Sequence, residues 1–250
     1  MYAAIFGRPI RVLTWNLYHG RAVPPAGRSL LGEYAEALAG WEWDVALLQE
    51  VPPWWPPALA RAAGAEQRTA LTSRNSLLFL RRALAERWPD AIKSNGGGSN
   101  AILARASIAE HRSLRLRRWP ERRVVHAVRL GDGTWAANLH ATVHDDARAR
   151  ADIARAGATA LGWAGDAPLL LGGDLNVRDA AVAGLVRAGG HKVDHVFARG
   201  LAPRGPAETL PHKPLSDHAP VLVALEPGKV DAGAGVGKNE HGPDHQEAQG

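Results

Sequence analysis

Short apolar runs in this chain repeatedly end on a polar residue of a kind that does chemistry, and that recurrence limits what the chain can fold into. Behind Pro168, Leu169-Leu170-Leu171 reads as a buried strand, and Gly172-Gly173 lets the backbone turn sharply before Asp174-Leu175-Asn176-Val177. Asn16 closes the run 12–15, Glu50 closes 45–49, and His140 closes 136–139. Asp194 and His195 follow Val193, while Asp217 and His218 precede a strand-like run at 219–223. Taken alone, Asp174 and Asn176 would be ordinary turn residues at a strand end. Strands that all deliver carboxylates, amides and imidazoles to one end of a sheet describe a site.

At 250 residues with 46% hydrophobic content the chain can bury a substantial core, and no linker interrupts the series of runs. One domain over 1–226 is expected, followed by a glycine-rich, polar segment at 227–250 that should be disordered. Cysteine is absent, so disulfides and thiolate metal sites are excluded. The opening residues are too short for a signal-peptide apolar region, and no run reaches the ~18 apolar residues of a membrane span. The expectation is a soluble, cytoplasmic monomer without membrane insertion. The net charge of +5 suits a polyanionic partner. All but five of the 30 basic residues are arginine, however, a skew that GC-rich coding would also produce, so the placement of charge says more than its sum.

In chain order, 11–17 reads as a strand, and Ser29 as the cap of a helix burying Leu30, Leu31, Tyr34, Ala35 and Leu38. A strand at 43–51 ends at Pro52-Pro53-Trp54-Trp55-Pro56-Pro57, whose tryptophans are either a substrate platform or a corner packed on the body. A strand is expected at 76–81, a flexible loop at 94–99, and Asn100 on the strand 101–105. The alternation at 113–117 is that of a half-buried strand. It leads to the arginine-rich loop 117–123, which either steers phosphate ligands or is a solvated cluster. Gly131-Asp132-Gly133 between 124–130 and 134–142 signals a hairpin, with His126 structural in its first strand. Asp145 or Asp146 should cap a helix reaching about Trp163, with Arg148, Arg150 and Arg155 in solvent. A short helix is expected at 179–188, a strand at 193–198, a proline-punctuated loop at 202–214 and a closing strand at 219–225. Hairpin-like strands with intervening helices in each half favour two packed sheets over a doubly wound one.

Seven motifs, Thr14-Trp15-Asn16-Leu17, Leu48-Gln49-Glu50-Val51, Ser99-Asn100-Ala101-Ile102-Leu103, Asn138-Leu139-His140, Gly173-Asp174-Leu175-Asn176, Val193-Asp194-His195-Val196-Phe197 and Ser216-Asp217-His218-Ala219-Pro220, occur in one order. In that order the chain resembles the metal-dependent endonuclease/exonuclease/phosphatase family, the deoxyribonuclease-like fold, from about Ile10 to Leu225. The resemblance implies an α+β, four-layer α/β/β/α sandwich with two mixed β-sheets face to face, and hydrolysis of a phosphate ester with Mg²⁺ or Mn²⁺. It implies Glu50, Asp217 and Asn16 as metal residues, and Asp174 as the group that accepts a proton from the attacking water, with Asn176 fixing the geometry. It also implies Asp194 and His218 as a carboxylate–imidazole pair that acts as base or phosphate clamp. The residue types suit the chemistry independently. Mg²⁺ takes oxygen ligands, usually one or two carboxylates, and a phosphoryl transition state wants donors that need no deprotonation. Asn16, Asn176, His140 and His218 can supply these, and Asn100, Arg117 and Arg118 are further candidates for phosphate contact. His19, His144 and His195 are balanced between ligand-side and packing roles. Where many nucleases of the family place an acidic residue two positions after the first Asn, this chain has Tyr18 and then His19.

Three functions fit: a nuclease or phosphodiesterase on DNA or RNA; a phosphatase or lipid phosphodiesterase on an inositol-phosphate or sphingomyelin-like head group; and a binding protein that keeps the fold without catalysis. The basic body favours the first. No apolar hairpin for membrane contact supports the second, and the filled polar positions argue against the third.

Overall fold

Strand periodicity and helix amphipathicity sort the apolar side chains onto three surfaces, and those surfaces fix the architecture. The computed structural model describes residues 8–73, 75–91, 98–119 and 121–228. Along them run β1 (Ile10–Asn16), α1 (Leu31–Gly40), β2 (Val45–Val51), α2 (Pro56–Ala62), β3 (Glu66–Leu71), α3 (Leu78–Arg87), β4 (Ser99–Ala104) and β5 (Ile108–Arg117). They continue through β6 (Arg123–Leu130), β7 (Trp135–His140), α4 (Asp146–Ala164), β8 (Leu169–Asp174), β9 (Val186–His191), β10 (Asp194–Arg199), β11 (Leu201–Pro203), β12 (Glu208–Thr209) and β13 (Val221–Pro227).

The first sheet has the order β11-β13-β1-β2-β4-β3, with β12 also paired to β13; the second has the order β5-β6-β7-β8-β10-β9. Both are mixed, because β1 and β2 run parallel, as do β7 and β8, amid antiparallel neighbours. Val12, Leu47, Ile102, Val128, Ala136, Leu170 and Val196 fill the space between the sheets. Leu13 and Trp15 face outward onto Leu30, Tyr34 and Leu38 of the α1 region and onto Leu59 of α2. On the other side Val125, Ala137, Leu139 and Leu171 meet Ala149, Ile153, Ala156 and Ala160 of α4. The result is the expected four-layer sandwich. Each fully buried leucine or valine in it contributes ~1.5–3 kcal/mol relative to an exposed one.

Two buried amides join the sheets. Asn138 Nδ2 donates to Leu48 O at 2.9 Å and Ala101 O at 3.0 Å, and Gln49 Nε2 donates to Asn138 Oδ1 at 2.9 Å. Close contact also dictates Gly172, where a Cβ would meet His195 O and Leu47 Cδ1 at 2.9 Å.

Local readings differ in places. Ser29 does not cap α1, whose N-cap is Leu30 without a side-chain bond; Asp145 does cap α4, accepting from Arg148 N at 2.9 Å. Trp55 is buried against Tyr34, with ring centroids 5.6 Å apart, so the tryptophan-proline corner packs on the body and its second half opens α2. The run 76–81 enters helix α3 rather than a strand, and 179–188 forms turns and then β9 rather than a helix. β11 and β12 interrupt the proline-punctuated stretch. Most of the expected flexible loop at 94–99, and the tail from 229 onward, lie outside the described residues. Among those described, no helix is long and apolar enough to cross a membrane.

Candidate active site

Pairing register places the polar strand ends together. His140 of β7 stands opposite Asp174 of β8, and Asp174 stands opposite Asp194 of β10, so the three share one edge of the second sheet. Their face is the inner one, because Leu170 and Val196 on the same strands point into the inter-sheet core. Gly173 makes this junction so tight that a Cβ there would lie 1.8 Å from Leu139 O.

The first sheet contributes Asn16 and Glu50 from adjacent parallel strands. The register of β2 on β4 slips between Leu48 and Val51, and Glu50 in this bulge has φ 51°. Bulges re-aim side chains, and here the carboxylate turns into the space between the sheet ends. Tyr18, His19, His144, Asn176 and Ser216 are also left-handed, and all six lie in or beside this cleft. Such residues cost ~1–3 kcal/mol each and persist where surrounding structure over-determines them.

The cleft encloses about 450 Å³ and is lined by Asn16, His19, Glu50, His140, Asp174, Asn176, Asp217 and His218, among others. Asn16 Nδ2 donates to Asp174 Oδ2 at 2.9 Å, and the same amide's Oδ1 accepts from Tyr18 N. Asp174 Oδ1 accepts from Asn176 N at 3.0 Å, while Asn176 Nδ2 donates to Ala141 O. His140 Nε2 lies 3.6 Å from Asp174 Oδ2 and 3.8 Å from Glu50 Oε1; His218 Nε2 lies 3.8 Å from Asp174 Oδ2. These atoms converge on a common centre without bonding to one another.

His218 Nδ1 is held by Asp194 Oδ2 at 2.9 Å. Burial opposes charge on this imidazole, but the Asp194 hydrogen bond and the charges of Asp174, Asp194 and Asp217 outweigh it and raise its pKa to about 9. Burial likewise raises Asp194, to about 6, against the hydrogen bond from His218. At neutral pH the pair is therefore imidazolium and carboxylate. His140 is the opposite case: burial, with the charges of Arg123, His19 and His218, holds its pKa well below the ordinary value. Its contacts with the two carboxylates are those of a neutral ring, not ion pairs.

The donor set fits a divalent cation. Glu50, Asp174, Asp194 and Asp217 crowd carboxylates together, Asp194 Oδ1 is buried without a partner, and ligand atoms of Asp174, Asp194 and His218 lie within 4.8 Å of one another. The His218 imidazolium offsets part of this charge, and a bound cation would offset the rest.

Asn16, Glu50, His140, Asp174, Asn176, Asp217 and His218 thus line one cleft, and Asp194 bonds to His218 beside it. Asn100 lies on the inner face opposite the Glu50 bulge, fully buried, with neither amide atom bonded. His195 is a packed histidine, its Nε2 2.8 Å from Val177 O. The arginine loop divides. Arg117 is bound to Asp152 at 3.1 Å and Arg118 lies outside the cleft lining, whereas Arg122 and Arg123 line a second lobe of about 250 Å³ with Thr72, Ser73 and Gly98. The two lobes share His19, Glu50 and His140. Arg123 is buried and paired with Glu121, and its Nε has no partner. Sequence reasoning gave no role to Gln49 or Asn138; the available signal was a pair of amides inside otherwise apolar strands.

Two mixed sheets packed face to face thus gather carboxylates, amides and imidazoles at one end of a four-layer sandwich. A family model for the endonuclease/exonuclease/phosphatase family matches residues 13–218, and the chain belongs to that family of phosphoester hydrolases. An endonuclease/exonuclease/phosphatase from Beutenbergia cavernae is 19% identical with a TM-score of 0.64, covering 88% of this chain and 72% of its own. The mannosyl-6-phosphatase of Bacteroides thetaiotaomicron is 16% identical with a TM-score of 0.64, covering 87% and 99%. TDP2 of Caenorhabditis elegans is 16% identical with a TM-score of 0.63, covering 90% and 77%. At these identities the likeness is one of fold. No curated protein sequence matches the chain.

Proposed function

We propose that residues 1–226 form a divalent-metal-dependent phosphodiesterase domain acting on polynucleotide. The observation that carries this reading is the convergence of Asn16, His140 and His218 on Asp174 beside Glu50. Asp174 accepts the proton of a water as its oxygen bonds to phosphorus and the ester oxygen leaves with the bonding pair. Asn16 and the backbone of Asn176 fix the two oxygens of that carboxylate. The His218 imidazolium and the neutral His140 ring donate to the phosphoryl oxygens, where charge develops. Asn176 completes the phosphate pocket, and the fully buried Asn100 lies behind it, outside the lining of either lobe. Glu50 and Asp217, with the Asn16 amide, would hold Mg²⁺ or Mn²⁺, which when bound would polarise the phosphoryl group and acidify water.

Arg122, with the buried, Glu121-paired Arg123 behind it, extends the cleft toward a phosphate next to the scissile one, a group that a mononucleotide lacks. A panel of duplex and single-stranded DNA, RNA, bis-p-nitrophenyl phosphate, sugar and inositol phosphates and sphingomyelin tests the reading. Polynucleotide should be preferred, chelator should abolish turnover, and Asp174→Asn should lower kcat by ~10²–10⁴-fold. Full turnover in excess chelator, or near-normal Asp174→Asn, overturns the assignment. Replacing both Arg122 and Arg123 by Ser should raise KM for polynucleotide and flatten its salt dependence by roughly 0.7–0.9 log units per lost contact, with bis-p-nitrophenyl phosphate nearly unaffected. Unchanged salt dependence with preference for a small phosphate ester moves the reading to a phosphatase. No hydrolysis anywhere on the panel moves it to a binding protein.

A further inference from the structure

The sequence directly after Asn16 bends in a way that the phosphoesterase reading leaves unused. Tyr18–Gly20 is a single 3-10 turn in which Tyr18 has φ 49° and His19 has φ 53°. Three features hold it. Leu17 N bonds to Gln49 O at 2.9 Å, tying the turn to the strand that carries Glu50. Gly20 N and Arg21 N bond to Leu17 O and Tyr18 O. Gly20 itself lies against the buried Trp55 ring, where a Cβ would come within 2.2 Å of Cη2. The outcome is that His19 Nε2 lies 3.1 Å from Glu50 Oε2, facing the same space as His140 Nε2, which is 3.8 Å from Glu50 Oε1. Glu50 is thus a carboxylate with an imidazole on each oxygen. Mg²⁺ is a hard ion that takes oxygen ligands and keeps its waters; imidazole nitrogen suits Zn²⁺, Fe²⁺ and Ni²⁺, and is accepted by Mn²⁺ more readily than by Mg²⁺.

We propose that His19 is a nitrogen ligand to the ion at Glu50, and that the 3.1 Å His19–Glu50 pairing biases this site toward a transition metal over Mg²⁺. The proposal rests on Glu50 as the metal carboxylate. His19 changes the chemical class of the ion rather than only its affinity.

Purified apo protein is titrated with Mn²⁺, Zn²⁺ and Mg²⁺ by calorimetry, and the Mn²⁺ form is examined for electron spin echo modulation from directly bound ¹⁴N. His19→Asn tolerates the left-handed backbone and replaces the nitrogen ligand by an oxygen. It should raise the Mn²⁺ and Zn²⁺ Kd by about 10–100-fold while changing the Mg²⁺ Kd by no more than about threefold, and it should reduce the ¹⁴N modulation. Glu50→Gln should weaken all three ions. Unchanged ¹⁴N modulation and equal affinity losses for all ions in His19→Asn would overturn the nitrogen-ligand assignment while leaving the Glu50 site standing. Metal binding that survives Glu50→Gln intact would overturn both. Thermal melting of each apo variant establishes that it is folded, and His140→Gln separates the modulation due to the second imidazole.

Discussion

At the scale of single residues, position and charge state are set by neighbours rather than by identity. His218 and His140 are imidazoles of one cleft, the first half-buried and the second buried, yet one is held cationic and the other neutral. The difference is a carboxylate at 2.9 Å for His218, against burial, the nearby charge of Arg123 and a nearest described carboxylate at 3.6 Å for His140. If catalysis uses the His218 imidazolium, activity persists while that form is populated and falls as pH rises through about 9. Asp194→Asn removes one of the charges that raise this pKa and leaves at most a neutral amide acceptor for His218 Nδ1. The alkaline limb of kcat/KM on bis-p-nitrophenyl phosphate should then move to lower pH, with the plateau reduced. An unmoved limb would mean that another group sets it. Gly173 illustrates a purely steric constraint. With φ 143° and a would-be Cβ at 1.8 Å from Leu139 O, Gly173→Ala should cost ~3 kcal/mol or more, read as a fall in Tm of ~6–12 °C.

At the scale of elements, the Gln49–Asn138 link decides how accurately the two sheets present their residues. Gln49 directly precedes Glu50, and Asn138 lies two residues before His140, so a change in sheet separation there moves both sides of the cleft. Asn138→Ala removes one of the acceptors of Gln49 Nε2 and the side-chain donor to Leu48 O and Ala101 O, and should cost ~1–3 kcal/mol. It should also lower kcat in the folded protein at low temperature. Loss of Tm with unchanged kcat would reduce the link to a purely structural role. The strands that carry site residues were legible, because each is an apolar run of strand length with a polar end. Other elements were not. The Leu, Arg, Ala and Glu residues of Leu78–Arg87 are strong helix formers, but only the short apolar start of that segment was read, as a strand. At 179–188 the alanines favour a helix, but Ala180, Ala181 and Ala183 lie in turns and loop, and only the end of the stretch, from Val186, is drawn into β9 by pairing with β10. There Gly190 is required by approach, since a Cβ would meet Asp194 O and His195 Nδ1 at 2.6 Å. The cleft residues were legible as types; the bulge at Glu50, the left-handed turn at His19 and the division of the arginines depend on tertiary packing that no local pattern encodes.

At the scale of the whole molecule, a sandwich with polar residues between its sheets is sensitive to acid at points remote from the site. His126, on the inner face of β6, is fully buried, with Nδ1 3.3 Å from His111 Nε2 and its own Nε2 unbonded. Burial, helped by His111, depresses its pKa to about 3. The folded protein therefore keeps this ring neutral while the unfolded chain protonates near the ordinary value. Between about pH 6.5 and 3 the unfolded state binds the additional proton, so stability is full at neutral pH and is lost as pH falls. From pH 7 to pH 5 that single group should cost about 2 kcal/mol, from the roughly 1.5 units separating pH 5 from an unperturbed pKa at 1.36 kcal/mol per unit. His111 is depressed in the same direction by burial and by Arg68, and it adds to the trend. Urea unfolding at pH 7 and pH 5 measures the slope. In His126→Gln, which keeps a polar side chain of similar reach but cannot protonate, the loss between the two pH values should shrink by about 2 kcal/mol even if the variant starts less stable at pH 7. An identical pH 7 to pH 5 difference in both proteins would show that His126 is hydrated or already protonated when folded, and would assign the acid sensitivity to the histidines of the cleft instead.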